Sequence, residues 1–569
     1  MRSNFASRIR LISFFVIVCA AVLIVRLYFL QIVYSQSYKL KADHQYSSIS
    51  QNIFNRGSIF FVDKDGVKTS AATIKSGFFL TVNPRLIADA EEVYKKISAI
   101  TTIDHDTFIK KATKQNDSYE EIIHRLTSDQ AAAISTLDIT GIGLYKEQWR
   151  FYPGDTVAAQ TIGFVGFTDK SDGLVGQYGL ESSDEEILKR TNQNIKMNAF
   201  AQMFSELSTV VVSGGGEGDV VTTIEPTVQS FLEEQLVKTN KKWNSTLTGG
   251  IIIDPKTGEI YALGSYPTFN PNSYQKEESS KVFSNPLVEN VYEMGSIVKA
   301  LTMAAGLDAG VVTAQSTYND TGSKTLNGKK ISNYDGRARG VVPMQEVLNQ
   351  SLNLGVAYVA DKLGNTLFTK YMLDYGLGSK SGIDLPNEGR SLVNNLNSSR
   401  DIEHATASYG QGIAMSPMAI TRALSVLANG GTLITPHVTK EIDYLTGRSL
   451  VTPIVEGERV IQQSTSKEIT RMLVSVVDHA LLEGAVKQTN YTIAAKTGTA
   501  QIADPQGGYY SDRYLHSFFG YFPAYNPSFL VFLYTVYPKG VDYASHTLTQ
   551  PFIDMVKNLI NYYQIPPDR

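Results

Sequence analysis

Residues 249–266 read Gly-Gly-Ile-Ile-Ile-Asp-Pro-Lys-Thr-Gly-Glu-Ile-Tyr-Ala-Leu-Gly-Ser-Tyr, two apolar runs around a turn sequence. Asp, Pro and Gly between two β-prone runs predict a hairpin. Towards the C-terminus follow a strong strand sequence, Phe529 to Tyr537, and an apolar helix sequence, Pro551 to Tyr563. An early hairpin, a late strand and mostly helical sequence between them favour a sheet sandwiched by helices, with an inserted helical subdomain.

The chain length indicates more than one domain, because 569 residues are too many for one ordinary domain. We predict an α+β multidomain protein with four segments. They are a cytoplasmic tail over 1–10, a transmembrane anchor over 11–33, an elongated α+β domain over 40–220 and the sheet-and-helix domain over 245–569. Within the elongated domain, Leu86 to Ile100 and Thr107 to Leu137 carry helical periodicity.

The anchor prediction rests on Ile9 to Val33, which is apolar apart from Ser13, Arg26 and Gln31. Roughly 20 residues cross a bilayer core, so this run is long enough if Arg26 snorkels. Basic residues ahead of it predict a cytoplasmic N-terminus and an exported body, hence a single-pass protein of the cell membrane. A cleaved signal peptide is the alternative, and lipoprotein processing at Cys19 is disfavoured because Val18 precedes it.

Charge and cysteine content exclude several classes of function. The formal net charge is -3, so no basic excess indicates nucleic-acid binding. The only cysteine is Cys19, which rules out an intrachain disulfide. The sequence has no His-Glu-x-x-His string and no Cys/His cluster, so we expect neither a metal nor a cofactor.

Three short motifs occur in one order: Ser296-Ile-Val-Lys299, Ser351-Leu-Asn353 and Lys496-Thr497-Gly498-Thr499. Ser296 opens a helical run after a glycine, so it is predicted at the positive end of a helix with Lys299 on the same face. Gly498 follows strand-like sequence, and a glycine within a strand indicates that another backbone approaches closely. The motifs therefore fall on a helix start, a loop of the helical subdomain and a sheet edge, and the cleft between them is the expected place for chemistry.

Each motif also has decoys elsewhere in the chain. These are Ser273 with Lys276, Ser464 with Lys467, Ser50 with Asn52, and Lys256 to Gly258. The two Ser-x-x-Lys decoys lie in polar stretches, which predict solvated surface, and Lys256 to Gly258 lies in the turn of the hairpin.

The ordered trio resembles the signature of class A β-lactamases and penicillin-binding proteins. Further strings are similar to those of class B penicillin-binding proteins, monofunctional peptidoglycan D,D-transpeptidases, over nearly the whole chain. They are Arg56 to Ile59, Gly179 to Glu181, Gly382 to Pro386, Gly410 to Ile413, Ala428 to Gly431 and Ser517 to Pro523. One departure is Met294, where the family usually has proline. Asn353 followed by Leu-Gly-Val is more similar to division-type members, since elongation-type members often carry Asp at the third motif position.

The resemblance implies that the domain over 40–220 is a pedestal of the dimerisation type and that Ser296 is the nucleophile. Ser296 would attack the penultimate D-Ala carbonyl of a stem peptide, and Lys299 would take its proton. Lys299 must then be neutral, which burial and the charge of Lys496 would favour. Ser351 would relay a proton to the leaving D-Ala amine, and Asn353 would hold the substrate amide.

The third motif is implied to bind the donor. Lys496 and Thr497 would hold its terminal carboxylate, and Gly498 would let the peptide lie along the strand edge. The N–H groups of Ser296 and Thr499 would form the oxyanion hole. β-Lactams would acylate the same serine. The stretch Tyr409 to Gly412 fits either a wall of the site or plain packing.

The resemblance also implies a SEDS-family glycosyltransferase partner at the membrane. An elongation-type enzyme, a β-lactamase and a cell-wall scaffold with little activity are the alternatives. The membrane anchor and pedestal fit a β-lactamase poorly, and the complete trio speaks against an idle scaffold. A Ser-His-Asp hydrolase is disfavoured because no Gly-x-Ser-x-Gly string occurs.

Overall fold

The computed structural model describes residues 55–114, 116–168, 171–190, 216–455 and 457–569. Two compact units account for them, a smaller one over Ile74–Arg150 and a larger one that combines Arg56–Thr73 with Phe151–Arg569. The predicted anchor lies outside the described residues. No helix within the described ranges is long and apolar enough to cross a membrane.

The strands are numbered in chain order. They are β1 Ile59–Val62, β2 Lys68–Val82, β3 Glu120–Leu126, β4 Ile142–Phe151, β5 Val165–Thr168, β6 Ser171–Gly176, β7 Gly218–Thr222, β8 Leu247–Ile253, β9 Ile260–Tyr266, β10 Thr317–Asp320, β11 Ser323–Leu326, β12 Lys329–Ser332, β13 Gly340–Pro343, β14 Thr439–Tyr444, β15 Ser449–Val451, β16 Ala494–Ala503, β17 Tyr509–Phe522 and β18 Phe529–Val536.

The α-helices are numbered in the same way. They are α1 Ala90–Ser98, α2 His105–Ala112, α3 Ser128–Ser135, α4 Ala159–Ile162, α5 Gly179–Ser183, α6 Glu185–Leu188, α7 Pro226–Trp243, α8 Val298–Asp308, α9 Met344–Asn349, α10 Asn353–Leu363, α11 Asn365–Asp374, α12 Asp401–Ala407, α13 Pro417–Ala428, α14 Gln463–Ser475 and α15 Ala544–Tyr563. Short 3₁₀ turns and one π-helical segment, Val476–Ala480, complete the regular structure of the described residues.

The smaller unit corrects one sequence prediction. The helical periodicity over residues 107–137 is interrupted by β3, which pairs antiparallel with β2. Caps explain the flanking helices: Asp104 accepts a hydrogen bond from Thr107 N–H, and Thr127 and Gln130 form a reciprocal capping box at α3. Two adjacent β-branched residues in β3, Ile122 and Ile123, favour a strand once a partner strand is present.

In the larger unit, a mixed sheet has the strand order β15-β14-β7-β1, and β1 pairs in turn with the first residues of β2, Lys68 to Ala72. The strand β1 is parallel to β7, with Ile59 opposite Val220, and β14 is antiparallel to β7, with Ile442 opposite Val220. Two strands from the C-terminal half of the chain, β14 and β15, therefore complete a sheet whose other members begin before residue 223.

A second sheet of the larger unit is fully antiparallel, with the order β16-β17-β18-β8-β9. It contains the predicted hairpin, β8 and β9, and the predicted late strand, β18, so both predictions are confirmed. Alternate residues face opposite sides: Ile252 packs in a core with α7 and α15, whereas Ile251 and Ile253 belong to the core that includes α8 and α13. The C-terminal helix is longer than predicted, because it begins at Ala544 and keeps Pro551 within it.

Candidate active site

The turn before α8 places Ser296 beside the sheet. Gly295 has a φ of +65°, which a residue with a side chain rarely adopts, and its N–H donates to the carbonyl of Gly410 at 3.1 Å. Residues Gly295–Ile297 form a 3₁₀ turn that continues directly into α8. The predicted helix start is therefore confirmed, with one tight turn ahead of it. Ser296 is partly exposed and Lys299, one turn later, is buried.

The lysines of the first and third motifs, Lys299 and Lys496, both contact the Oγ of Ser351 in the second motif. The Nζ of Lys299 lies 3.1 Å from the Oγ of Ser351 and donates to the Ser351 carbonyl at 2.6 Å. The Nζ of Lys496 lies 3.0 Å from the same Oγ. Ser351 itself has a φ of +55°, a strained conformation for serine that is typical of functional sites. Three residues from three distant parts of the chain thus share one hydrogen-bonded cluster.

Burial sets the charge states of these lysines. It lowers the pKa of Lys299 well below its ordinary value, and the neighbouring charge of Lys496 adds to the effect. Burial also lowers the pKa of Lys496, to about 8. Burial therefore favours the neutral form of Lys299, which can accept a proton, whereas Lys496 with a pKa of about 8 is mostly charged at neutral pH.

The third motif lies within β16, at an edge of the antiparallel sheet. A Cβ on Gly498 would lie 2.6 Å from the Met294 carbonyl oxygen and 2.3 Å from the Oγ of Ser517. The close backbone approach predicted for Gly498 is confirmed, and the backbone concerned is the chain's own nucleophile turn. The Oγ of Ser517 also donates to the Met294 carbonyl at 2.8 Å, which ties β17 to the same turn.

The remaining motif residues lie around this cluster. Asn353 begins α10, and its Nδ2 donates to the Ser332 carbonyl at 2.8 Å. The carbonyl of Thr497 accepts from Lys496 Nζ at 3.2 Å. The Oγ1 of Thr499 accepts from Ala544 N–H at 3.2 Å. Only Asn353 among these three belongs to the helical subdomain, so the cleft has one wall from that subdomain and one from the sheet.

The sequence did not decide whether the stretch Tyr409 to Gly412 forms a third wall of the site, and in the structure this stretch packs against the nucleophile turn. Gly410 packs so closely on the nucleophile turn that its Cβ would lie 2.2 Å from the Gly295 carbonyl oxygen. We call residues Tyr409 to Gly412 the glycine wall. Its Gly412 N–H donates to Oε1 of Glu293 at 3.0 Å. Sequence reasoning missed Glu293, although its position within the Glu-x-Gly-Ser string was a usable signal.

The decoys lie elsewhere. Ser464 and Lys467 are exposed on α14, as predicted for solvated surface. Ser273 and Lys276 lie in a 3₁₀ segment with an exposed lysine, and Lys256 lies in the β8–β9 turn. The pair Ser50 and Asn52 lies outside the described residues.

A serine beside a buried low-pKa lysine, a second lysine that stays charged and a hydroxyl between them can perform acyl transfer. Proton transfer from serine to lysine generates the nucleophile, and the charged lysine attracts a carboxylate. The edge of β16 offers backbone groups to an extended peptide.

Comparison with known proteins indicates the same family as the sequence motifs do, and the matches cover most of the chain. The model of the penicillin binding protein transpeptidase domain matches residues 248–559, and that of the penicillin-binding protein dimerisation domain matches residues 55–223. Stage V sporulation protein D of Bacillus subtilis is 30% identical over 508 residues, covering 88% of this chain and 76% of that protein. The probable peptidoglycan D,D-transpeptidase FtsI of Caulobacter vibrioides is 27% identical over 494 residues, covering 85% and 76%.

Solved structures share the fold. Penicillin binding protein 2X of Streptococcus thermophilus superposes with a TM-score of 0.72 at 17% identity, over 90% of this chain and 81% of that one. Penicillin binding protein 3 of Mycobacterium tuberculosis, complexed with aztreonam, gives a TM-score of 0.69 at 21% identity, over 91% and 98%.

Proposed function

The chain belongs to the class B penicillin-binding proteins, and we propose that it is a peptidoglycan D,D-transpeptidase that cross-links stem peptides through an acyl-enzyme on Ser296. The observation that carries this proposal is the convergence of Lys299 and Lys496 on the hydroxyl of Ser351, next to the turn that bears Ser296. Relatives with this function in their names, such as the Caulobacter vibrioides protein, support it.

In acylation, the neutral Nζ of Lys299 takes the proton of Ser296 Oγ as that oxygen attacks the penultimate D-Ala carbonyl. The N–H groups of Ser296 and Thr499 stabilise the developing oxyanion. The amide bond to the terminal D-Ala breaks, and the leaving amine receives a proton through Ser351. In the second half-reaction an acceptor amine attacks the ester, and Ser296 recovers its proton.

Donor binding is assigned to β16 and the residues opposite it. Lys496 and Thr497 hold the terminal carboxylate, and the donor peptide lies along the strand edge beside Gly498. Asn353 orients the donor amide through its Oδ1, because its Nδ2 is already bound to Ser332. β-Lactams, which mimic the donor, acylate the same serine and leave slowly. The complex of the Mycobacterium tuberculosis protein with aztreonam supports this assignment.

The biological setting is a further part of the proposal. We assign the enzyme to septal wall synthesis, on the similarity of the Ser351-Leu-Asn353 motif and the Leu-Gly-Val after it to division-type members. The segment over 11–33 would anchor it in the cell membrane with the enzyme domain outside the cytoplasm. Arg26 in that segment would meet either lipid headgroups or a SEDS-family glycosyltransferase. Loss of co-purification with that partner in Arg26→Leu, with penicillin labelling intact, would support the second choice, and undiminished co-purification the first.

The function is tested by labelling the full chain with a fluorescent penicillin and mapping the labelled peptide. We expect the label on Ser296, no label in Ser296→Ala, and normal labelling in Ser273→Ala and Ser464→Ala. The label should persist for hours, since rapid loss would indicate a β-lactamase. Labelling that survives Ser296→Ala would overturn the assignment.

A further inference from the structure

Glu293 connects three separate segments of the chain beside the nucleophile. The hydroxyl of Tyr509 lies 3.1 Å from its Oε1 and 3.0 Å from its Oε2. The N–H of Gly412 donates to Oε1 at 3.0 Å. Glu293 itself lies three residues before Ser296. One carboxylate thus joins the nucleophile turn, the glycine wall and the hairpin between β16 and β17.

The hairpin matters because its first strand carries the third motif. Tyr509 is the first residue of β17 and pairs with Ala503, at the outer end of the strand that contains Lys496 and Thr499. The tip of the hairpin is open: Gly507 and Gly508 have positive φ, and a Cβ on either would meet nothing within 4 Å. A hydrogen bond to a carboxylate is about twice as strong as one between neutral groups, so Tyr509 ties this solvent-facing hairpin firmly to the nucleophile turn.

We propose that the hydroxyl of Tyr509 and the carboxylate of Glu293 form a clamp that fixes the outer end of β16 relative to Ser296, and that this clamp sets the rate of acylation. The proposal rests on the proposed function, because it assumes that the donor lies along β16 and reacts with Ser296. Glu293 and Tyr509 act as positioning residues, since they hold the elements that carry the reacting groups.

Tyr509 is a suitable residue for a test. Its side chain is 40% exposed, so Tyr509→Phe removes the hydroxyl with little effect on the core. The neighbouring Tyr510 provides a matched control: its ring stacks with the guanidinium of Arg513, whose Cζ lies 3.9 Å from the ring centre. Tyr510→Phe removes a hydroxyl from the same hairpin without touching the clamp.

The experiment measures penicillin acylation of the full chain, separating the rate constant at saturating penicillin from the dissociation constant of the non-covalent complex. We expect Tyr509→Phe to lower the saturating rate constant by about tenfold, the size of one hydrogen bond to a charged group. The thermal midpoint and the dissociation constant should change little, and Tyr510→Phe should behave like wild type. Tyr509→Phe should cost less in a Glu293→Gln background, because that change weakens the same contact.

Three results would overturn the clamp: a wild-type rate in Tyr509→Phe, an equal cost in both backgrounds, or a loss confined to the dissociation constant. A wild-type chain that takes no penicillin on Ser296 would instead defeat the proposed function. The two failures are therefore distinguishable.

Discussion

Arg56 and Glu181 form an ion pair inside the larger unit, although 125 residues separate them in the chain. The Nε of Arg56 lies 2.6 Å from Oε2 of Glu181, and the two side chains are only 2% and 0% exposed. Arg56 also pairs with Glu185 at 2.7 Å, and the hydroxyl of Tyr152 lies 3.1 Å from Oε1 of Glu181. Both members of the pair belong to strings that carried the family resemblance. Those strings therefore meet in one buried cluster.

Breaking this pair should destabilise the protein strongly. Arg56→Ala removes the guanidinium that offsets the buried charge of Glu181, and breaking such a buried pair typically costs about 3–5 kcal/mol. Lys238→Ala is the matched control, because Lys238 and Glu234 form a pair at 2.5 Å with both side chains more than half exposed. Such a pair contributes at most about 1 kcal/mol. Denaturant unfolding measures both, and equal losses would contradict the role of the buried pair.

Asp184, in the same cluster, should make the protein less stable as pH rises. Its Oδ2 is buried without a hydrogen-bond partner among the described residues. Burial raises its pKa to about 7, with Asp384 and Glu181 adding to the rise and Arg56 opposing it. The folded state therefore holds this proton more tightly than the unfolded state. The contribution of Asp184 to stability is therefore largest below its ordinary pKa of 3.8 and is lost as pH rises through about 7.

The test of Asp184 is Asp184→Asn, which keeps the shape and removes the charge. Its thermal midpoint should exceed that of wild type above pH 7, and the gap should close near pH 3.8. Asp384→Asn is a useful contrast, because both Asp384 oxygens accept backbone N–H bonds, from Val438 at 2.8 Å and Thr439 at 2.7 Å. That change should lower the midpoint. A gap for Asp184→Asn that is independent of pH would count against the explanation.

The parts of the fold that could be predicted are those with strong local signals. The β8–β9 hairpin and β18 are apolar runs bounded by turn residues, and nothing else competes for them. The strand β3 could not be predicted, because Ile122 and Ile123 lie among charged residues and become a strand by pairing with β2. The strand β14 shows the same effect at longer range, since its partner β7 lies more than 200 residues earlier in the chain.

The residues of the site likewise include some that the sequence could identify and some whose role only the structure shows. The motif residues could be chosen from their order and local context, and the structure brings Lys299, Ser351 and Lys496 together. The partners of Glu293 could not be inferred, because Gly412 and Tyr509 lie 119 and 216 residues away. The positive φ of Ser351 was equally hidden, since serine gives no sequence signal for that conformation.

Gly498→Ala should damage both the fold of the site and its reactivity. The added methyl group would lie 2.3 Å from Ser517 Oγ and 2.6 Å from the Met294 carbonyl oxygen, so β16 and the nucleophile turn must move apart. Overpacking of this kind typically costs about 1–3 kcal/mol. Gly173→Ala is the control, because a Cβ there meets nothing within 4 Å. Penicillin acylation and thermal unfolding measure the two effects. A variant that acylates and unfolds like wild type would show that the structure accommodates the added methyl group at little cost in free energy.

Lys299→Met should abolish most acylation while it preserves packing. Lys299 is 1% exposed, so an unbranched apolar side chain of similar length can fill the same space. The loss of a general base typically lowers the rate by about 10² to 10⁴. Lys467→Met, in the exposed decoy, should leave the rate unchanged. Rapid-mixing measurement of penicillin acylation tests whether Lys299 is the general base. A near-normal rate in Lys299→Met would assign that role to another group.

Acylation should depend on pH as a bell-shaped curve, because the two lysines must carry opposite charge states. Lys299 acts only when neutral, so the rate rises as pH passes through its lowered pKa. Lys496 must be charged to hold the carboxylate, and with a pKa of about 8 it loses that charge above pH 8, where the rate falls. Deprotonation of Lys496 also removes one of the two causes that lower the pKa of Lys299, the smaller one after burial. Lys496→Arg keeps a positive charge throughout, since arginine does not titrate in this range. The falling limb should therefore disappear in Lys496→Arg, whereas Lys467→Arg should keep the wild-type curve. A falling limb that persists in Lys496→Arg would assign it to a different group.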